Sequence, residues 1–180
     1  LSIEIVSYSY NPVDDQLDCI FEDHQSNVVL IVNYFGIKTP QISAFKQSTI
    51  IEDLTHDLSK ISTSQADYVF GSLRKILPVP VGGFLKSNQE KLENINISYA
   101  ADLVATQKFT GMFLKSKYLK GELETKEIFR ELLIDGEQHF ENLDTYSAIP
   151  LRTVEYMKTL NIQAIIHQKI SNIEQFKKNV

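Results

Sequence analysis

The chain has 180 residues, of which 43% are hydrophobic and 23% are charged. These proportions exclude a disordered chain, because disordered chains carry fewer apolar residues and more net charge. The length corresponds to about one domain, at roughly 100–200 residues per domain. Lys and Arg number 18 against 23 Asp and Glu, and the net charge of −5 disfavours a nucleic-acid-binding protein, which normally presents a basic face.

The sequence also indicates neither a membrane segment nor a secretion signal. No apolar run approaches the ~20 residues that span a bilayer, and the N-terminus lacks the basic-then-apolar pattern of a signal peptide. Cys19 is the single cysteine, so an internal disulfide is excluded. We therefore expect a cytoplasmic protein with no nucleic-acid partner, no membrane partner and no metal site.

Short apolar runs, separated by turn residues, dominate the first 87 residues. Runs this short and this continuously apolar are typical of strands buried on both faces of a parallel sheet that helices cover. The segment 42–45 between two of them is long enough for only a turn or two of helix. We predict that residues 1–87 form an α/β sheet. The predicted strands are 28–32, 48–51, 66–73 and 82–85.

Near residue 88 the apolar period becomes helical. Ser98 is predicted to cap a helix whose apolar face includes Ala101, Ala105 and Met112, and Gly121 is predicted to end it. Further helices are expected around Phe129, Leu132 and Leu133, after Ile149-Pro150, and from Ile162 to Phe176.

A carboxylate and an imidazole follow the second predicted strand. The carboxyl ends of parallel strands border the ligand crevice of an open α/β sheet, so Asp53 could face a cationic ligand atom there. His56, three residues later, could lie near the same ligand. Equally, Asp53 could cap the next helix and His56 could be a surface residue.

A lysine follows the third predicted strand, in Gly71-Ser72-Leu73-Arg74-Lys75. A desolvated lysine amine loses its proton readily and then attacks carbonyl groups, while Ser72 and Arg74 could bind a phosphate. A lysine in solvent at the sheet edge fits the same pattern. The following pair Gly82-Gly83 permits positive φ and close approach of the backbone to a ligand, or serves a plain turn.

The order of these features resembles the fold-type I enzymes that depend on pyridoxal phosphate, and most closely the DegT/DnrJ/EryC1/StrS family of sugar aminotransferases. The segment Ile50-Ile51-Glu52-Asp53-Leu54-Thr55-His56 matches that family's acidic strand, and Ser72-Leu73-Arg74-Lys75 with Gly82-Gly83 resembles its lysine segment. The segment Val32-Asn33-Tyr34-Phe35-Gly36 is similar to the strand and turn that precede the acidic strand. The resemblance covers residues 28–86.

The resemblance implies pyridoxal phosphate as the cofactor and gives each candidate residue a role. Lys75 would form the aldimine with the cofactor aldehyde and then move protons. Asp53 would pair with the pyridine nitrogen, His56 would lie against the ring or near its phenolic oxygen, and Ser72 would bind the phosphate. The implied reaction moves an amino group from a small-molecule donor such as glutamate to a nucleotide-linked keto sugar, in a homodimer.

Several positions depart from the family. Phe70 stands where a Ser is usual, Ser72 where a His or Asn is usual, and Val81 where an acidic residue often precedes the glycines. We expect an internal fragment of a longer protein that is inactive alone: residues 1–87 as the sheet part of the cofactor-binding large domain, and residues 88–180 as a helical part leading toward a missing small domain. Two alternatives remain, a remodelled relative that binds without catalysis and an unrelated α/β ligand- or partner-binding domain.

Overall fold

The computed structural model describes residues 3–11, 14, 16–18, 27–33, 41–92, 98–143 and 146–178. The chain divides into two compact units, Leu1–Ser72 with Phe84–Leu92 and Leu73–Gly83 with Glu93–Val180. We call them the sheet unit and the helical unit. The segment Leu73–Gly83, which carries Lys75, belongs to the helical unit, whereas the sequence placed it with the sheet.

The predicted mixed α/β class is confirmed. All four predicted strands are present, and so are the four predicted helices. In chain order the elements are β1 (Ser9–Asn11), β2 (Gln16–Asp18), β3 (Val28–Val32), β4 (Thr49–Asp53), β5 (Tyr68–Ser72), β6 (Gly83–Ser87), α1 (Ala101–Leu119), α2 (Glu127–Glu141), α3 (Leu151–Thr159) and α4 (Ile162–Lys178), with short 3-10 turns at Ile42–Ala44, Leu58–Lys60 and Leu73–Lys75.

The main sheet has the strand order β3-β4-β5-β6, and β3, β4 and β5 run parallel, as the sequence predicted. In its register Ile31 lies opposite Glu52, and Glu52 lies opposite Val69. Strands β1 and β2 form a separate antiparallel pair. Because β3, β4 and β5 are parallel neighbours, their carboxyl ends share one edge of the sheet.

One face of the main sheet is well buried and the other is not. In β3, Val29 and Ile31 are buried, but Val28 is 63% and Leu30 48% exposed. The expectation that these strands are buried on both faces is therefore wrong for β3, which is an edge strand in the described sheet. The core of the sheet unit consists of Val29, Ile31, Phe45, Ile50, Leu54, Ala66 and Val69.

Helices α1 and α2 pack closely because glycines stand where they meet. A Cβ atom on Gly136 of α2 would lie 2.5 Å from Cγ of Lys108 in α1. A Cβ atom on Gly111 of α1 would lie 2.9 Å from Cγ of Leu133 in α2. Both distances are far below ordinary contact, so the two helix axes could not approach this closely with larger residues there.

The start of α1 differs from the prediction. Ala100, not Ser98, is the N-cap residue, and Ser98 pairs with Ser147 in an isolated parallel β-bridge. The hydroxyl of Ser147 accepts a hydrogen bond from the backbone N–H of Ala101 at 3.0 Å. A side chain that is distant in sequence thus satisfies an N–H at the helix start. Gly121 follows α1 with φ of +74°, as its predicted role as a helix end requires.

Two parts of the sequence analysis lie outside the described residues, namely Cys19 and the segment 34–36 of the resemblance. Within the ranges given above, no helix combines the length and the apolar character needed to cross a bilayer.

Candidate functional site

The structure brings Asp53 and Ser72 together at the carboxyl edge of the sheet. Asp53 is the last residue of β4, and Ser72 is the last residue of β5. Thr55 joins the two strand ends, because its N–H donates to Asp53 Oδ1 at 2.8 Å and its Oγ1 accepts from the Ser72 N–H at 3.0 Å. The edge is therefore held by hydrogen bonds that run through one threonine.

Asp53 and Ser72 also share a face of the sheet. Asp53 is in register with Phe70, and Ser72 lies two residues beyond Phe70, so alternation places all three on the less buried face. Both polar residues are half-buried. Within the described residues, Asp53 Oδ2 and the Ser72 hydroxyl make no hydrogen bond, so one acceptor and one donor remain open to a ligand.

The interpretation of Asp53 as a helix cap is wrong. Its carboxylate binds the N–H of Thr55 in a tight turn. The cap of the next 3-10 turn is Asp57, whose Oδ1 accepts from the Ser59 N–H at 3.3 Å. His56 lies between the two aspartates and is half-buried.

Asn33 is a further polar residue at this edge, and no role was predicted for it. It directly follows β3, is fully buried, and donates its backbone N–H to the Asp53 carbonyl at 3.0 Å. Its side-chain Oδ1 and Nδ2 have no hydrogen-bond partner in the described part of the chain. Buried amides are normally paired, and an unpaired one costs free energy. An amide directly after five apolar residues is the signal that could have identified it.

Lys75 ends the 3-10 turn Leu73–Lys75 of the helical unit, and its side chain is exposed. The structure therefore agrees with the interpretation of a solvent-facing lysine rather than a desolvated one. We call Leu73–Gly83 the lysine loop. The Leu73 N–H donates to the Gly82 carbonyl at 3.1 Å and closes the loop at its base. Gly82 has φ of +130°, the positive value that the glycine pair was predicted to allow.

A charged cluster in the helical unit was missed by the sequence analysis. Arg74 Nη1 contacts Glu137 Oε1 and Oε2 at 2.8 and 3.1 Å, and Lys108 Nζ contacts the same Oε1 at 2.6 Å. The Phe140 ring lies below both cations, 5.3 Å from Arg74 Cζ and 5.9 Å from Lys108 Nζ. We call Arg74, Lys108, Glu137 and Phe140 the Glu137 cluster. In the sequence, the only indication of this cluster was Lys108, a single lysine among the apolar residues of the buried face of α1.

The pKa values of Lys108 and Glu137 are both lowered, but for different reasons. The Lys108 side chain is 6% exposed, and burial lowers the pKa of its ammonium group against the opposing hydrogen bond from Glu137. Burial raises the pKa of Glu137, but the hydrogen bond and charge of Lys108, with those of Arg74, outweigh it and leave the pKa lowered. Glu137 is thus held as a carboxylate between two cations.

No group of three or more His, Cys, Asp or Glu side chains in the described ranges is arranged to hold a metal ion.

Comparisons with protein-family models, with curated proteins and with solved structures find no match to this chain.

Proposed function

We propose that this chain is the cofactor-binding part of a pyridoxal-phosphate-dependent aminotransferase with the fold-type I architecture. One observation carries the proposal. Asp53 and Ser72 end adjacent parallel strands, and Thr55 joins them by hydrogen bonds. Lys75 follows Ser72 by three residues, and the order of acidic strand, lysine segment and paired glycines resembles that of the sugar aminotransferases.

The residues fit the cofactor by the chemistry of their side chains. Asp53 offers an open carboxylate oxygen to a protonated ring nitrogen, and Ser72 offers an open hydroxyl to a phosphate. Lys75 supplies a primary amine for an aldehyde. His56 would contact the ring. When bound, pyridoxal phosphate supplies an electron sink for the carbon that loses its proton.

The protein's own groups would orient the cofactor and move one proton. An aspartate between the Thr55 N–H and a pyridine nitrogen keeps that nitrogen protonated, because a carboxylate accepts hydrogen bonds and donates none. The Lys75 amine, once released, is the base that would take and return a proton at the substrate carbon. The proposed substrates are a small amino donor and a nucleotide-linked keto sugar, handled by a cytoplasmic homodimer.

The exposed Lys75 side chain favours a second candidate, a relative that binds a ligand or a partner without catalysis. Enzymes that use a lysine as nucleophile commonly desolvate it, and Lys75 lacks that burial. The two candidates differ in one property, because only the enzyme attaches pyridoxal phosphate at Lys75.

Retention of pyridoxal phosphate by the 180-residue chain tests the proposal. The protein is mixed with the cofactor, freed of excess by gel filtration and read by absorbance. We expect Lys75→Ala to lose the retained absorbance and Asp53→Asn to lower it, since an amide does not hold the ring proton. The matched controls Lys115→Ala and Asp135→Asn change exposed residues of α1 and α2 and should retain it.

Borohydride reduction supplies a second readout in the same sample. It should attach the retained cofactor permanently to Lys75 in the wild type and leave Lys75→Ala without that label. Equal retention by wild type and Lys75→Ala, or no retention by the wild type, would contradict the proposal and favour the non-catalytic relative.

A further inference from the structure

The lysine loop contacts the helices of its unit through the ion pair of Arg74 with Glu137 and through Val81, which packs with Val104 and Ala105 of α1. Leu77, Val79 and Val81 of the loop are buried, whereas Lys75 is exposed. Arg74, the residue directly before Lys75, is the loop side chain that reaches Glu137 of α2. The backbone at Lys75 is therefore fixed from one side by the Arg74 side chain.

The contact between Arg74 and Glu137 is well defined because further residues hold both side chains in place. Arg74 binds both carboxylate oxygens of Glu137 through Nη1, and its guanidinium lies over the Phe140 ring. Glu137 is fixed in turn by the ammonium group of Lys108, whose stem is buried against Gly136. Charge-assisted hydrogen bonds of this kind are stronger than neutral ones, and a cation over an aromatic ring adds to them.

Resting on the proposed function, we infer that Glu137 is a positioning residue: it clamps Arg74 and so fixes the turn that presents Lys75 to the cofactor. Without the clamp, the first turn of the loop would sample other conformations. Cofactor attachment at Lys75 would then have to order that turn, which weakens binding.

A lysine-specific endoprotease tests the clamp without any cofactor, because it cleaves after Lys75 and not after the adjacent Arg74. Cleavage of a folded protein follows the population of locally opened chains when opening is fast. We expect Glu137→Gln, which keeps the size of the side chain and removes its charge, to raise the cleavage rate after Lys75 by about ten-fold, the ratio that corresponds to ~1.4 kcal/mol.

Two further variants make this comparison specific. Glu122→Gln removes a carboxylate that binds Lys117 elsewhere in the helical unit, and it should leave the cleavage rate after Lys75 unchanged. Arg74→Gln removes the other half of the clamp and should raise the rate as Glu137→Gln does, while the double variant should exceed neither single variant by much. Circular dichroism before digestion verifies that each variant is folded.

The link to the cofactor is measured by borohydride trapping of pyridoxal phosphate on individual lysines. In Glu137→Gln the cofactor concentration for half-labelling of Lys75 should rise several-fold, and that for exposed Lys115 should stay unchanged. An unchanged cleavage rate, or unchanged labelling of Lys75 in a protein whose wild type labels there, would overturn the inference. A wild type that labels nowhere defeats the proposed function instead, and cleavage alone then decides whether Glu137 fixes the turn.

Discussion

Thr55 is the residue on which the geometry of the sheet edge depends most. It donates its N–H to Asp53 and accepts the Ser72 N–H with its hydroxyl, so it fixes an aspartate and a neighbouring strand at once. The Leu54 N–H adds a second bond between the two strand ends, to the Phe70 carbonyl at 2.8 Å. The hydroxyl is needed because it reaches an N–H that has no other partner among the described residues.

The variant Thr55→Val tests this role, because it keeps the branched shape and removes the hydroxyl. The half-buried Ser72 N–H would lose its acceptor, and we expect a loss of about 1 kcal/mol in the free energy of unfolding. Thr55→Ser, which keeps the hydroxyl, should restore most of the stability. Urea denaturation measures both, and a Thr55→Val protein as stable as wild type would show that the bond contributes nothing.

Glu137 makes the stability of the fold depend on pH, and the sign of this dependence follows from its lowered pKa. In the folded protein the pKa of Glu137 lies below the usual 4.5. The carboxylate therefore stabilises the fold fully above pH 4.5, and this stabilisation is lost as the pH falls through the lowered pKa. We expect Glu137→Gln to be less stable than wild type at neutral pH and equally stable once the pH is well below 4.5. Urea denaturation across this range measures the difference.

Glu122→Gln is an internal control for this comparison. The Glu122 carboxylate pairs with Lys117, which is more exposed than Lys108, so its removal should lower the stability at neutral pH by less. A Glu137→Gln deficit that persists unchanged in acid would mean that the carboxylate charge is not what stabilises the cluster.

The sequence could predict those features of the site that depend on residues close together in the chain, and it could not predict contacts between distant residues. Asp53 was identifiable because it follows an apolar run closely, and Ser72 because it lies beside Lys75 near the end of another, and both are local signals. The Arg74–Glu137 contact joins residues 63 positions apart, and no local pattern reveals such a pair. The buried amide of Asn33 was visible as a residue type, but its lack of a partner is a property of packing.

At the scale of elements, the α1–α2 contact depends on Gly136 being a glycine. Alanine is the better helix former by about 1 kcal/mol, so Gly136→Ala on an isolated helix would stabilise it. In the folded chain its Cβ would lie 2.5 Å from Lys108 Cγ, and overpacking of this kind costs about 1–3 kcal/mol. We therefore expect Gly136→Ala to destabilise the protein by up to about 2 kcal/mol in thermal or urea unfolding.

The matched background for this test is Lys108→Ala, which removes the Cγ atom that the new methyl group would meet. In that background Gly136→Ala should become neutral or stabilising by up to about 1 kcal/mol, the helix-propensity difference. If the effect of Gly136→Ala has the same sign and size in both backgrounds, the close approach of Lys108 is not its cause.

Element types were predictable and element ends were less so. In the ranges that the structure describes, the short apolar runs located the strands of the main sheet, and the apolar residues at helical spacing located the four helices. The start of α1 was misplaced because its first N–H binds the hydroxyl of Ser147, which is 46 residues away from Ala101. Likewise, the apolar run of β3 indicated a strand without revealing that only one of its faces is buried.

At the scale of the whole molecule, the candidate residues are divided between two compact units. Asp53, His56 and Ser72 belong to the sheet unit, and Lys75 lies on a loop of the helical unit. The change of unit comes directly after Ser72, at the point where the apolar run of β5 gives way to the lysine loop. The contacts of the loop with the helical unit, Arg74 with Glu137 and Val81 with Val104, join residues too far apart in the sequence for a local pattern to predict them.

The most direct test of the account is the identity of the lysine that captures pyridoxal phosphate. The wild-type chain is incubated with the cofactor at limiting concentration, reduced with borohydride, digested and mapped by mass spectrometry. We expect Lys75 to carry most of the label, and Asp53→Asn to lower the labelling of Lys75 without changing that of Lys115. Label spread evenly over the exposed lysines, or absent from Lys75, would contradict it.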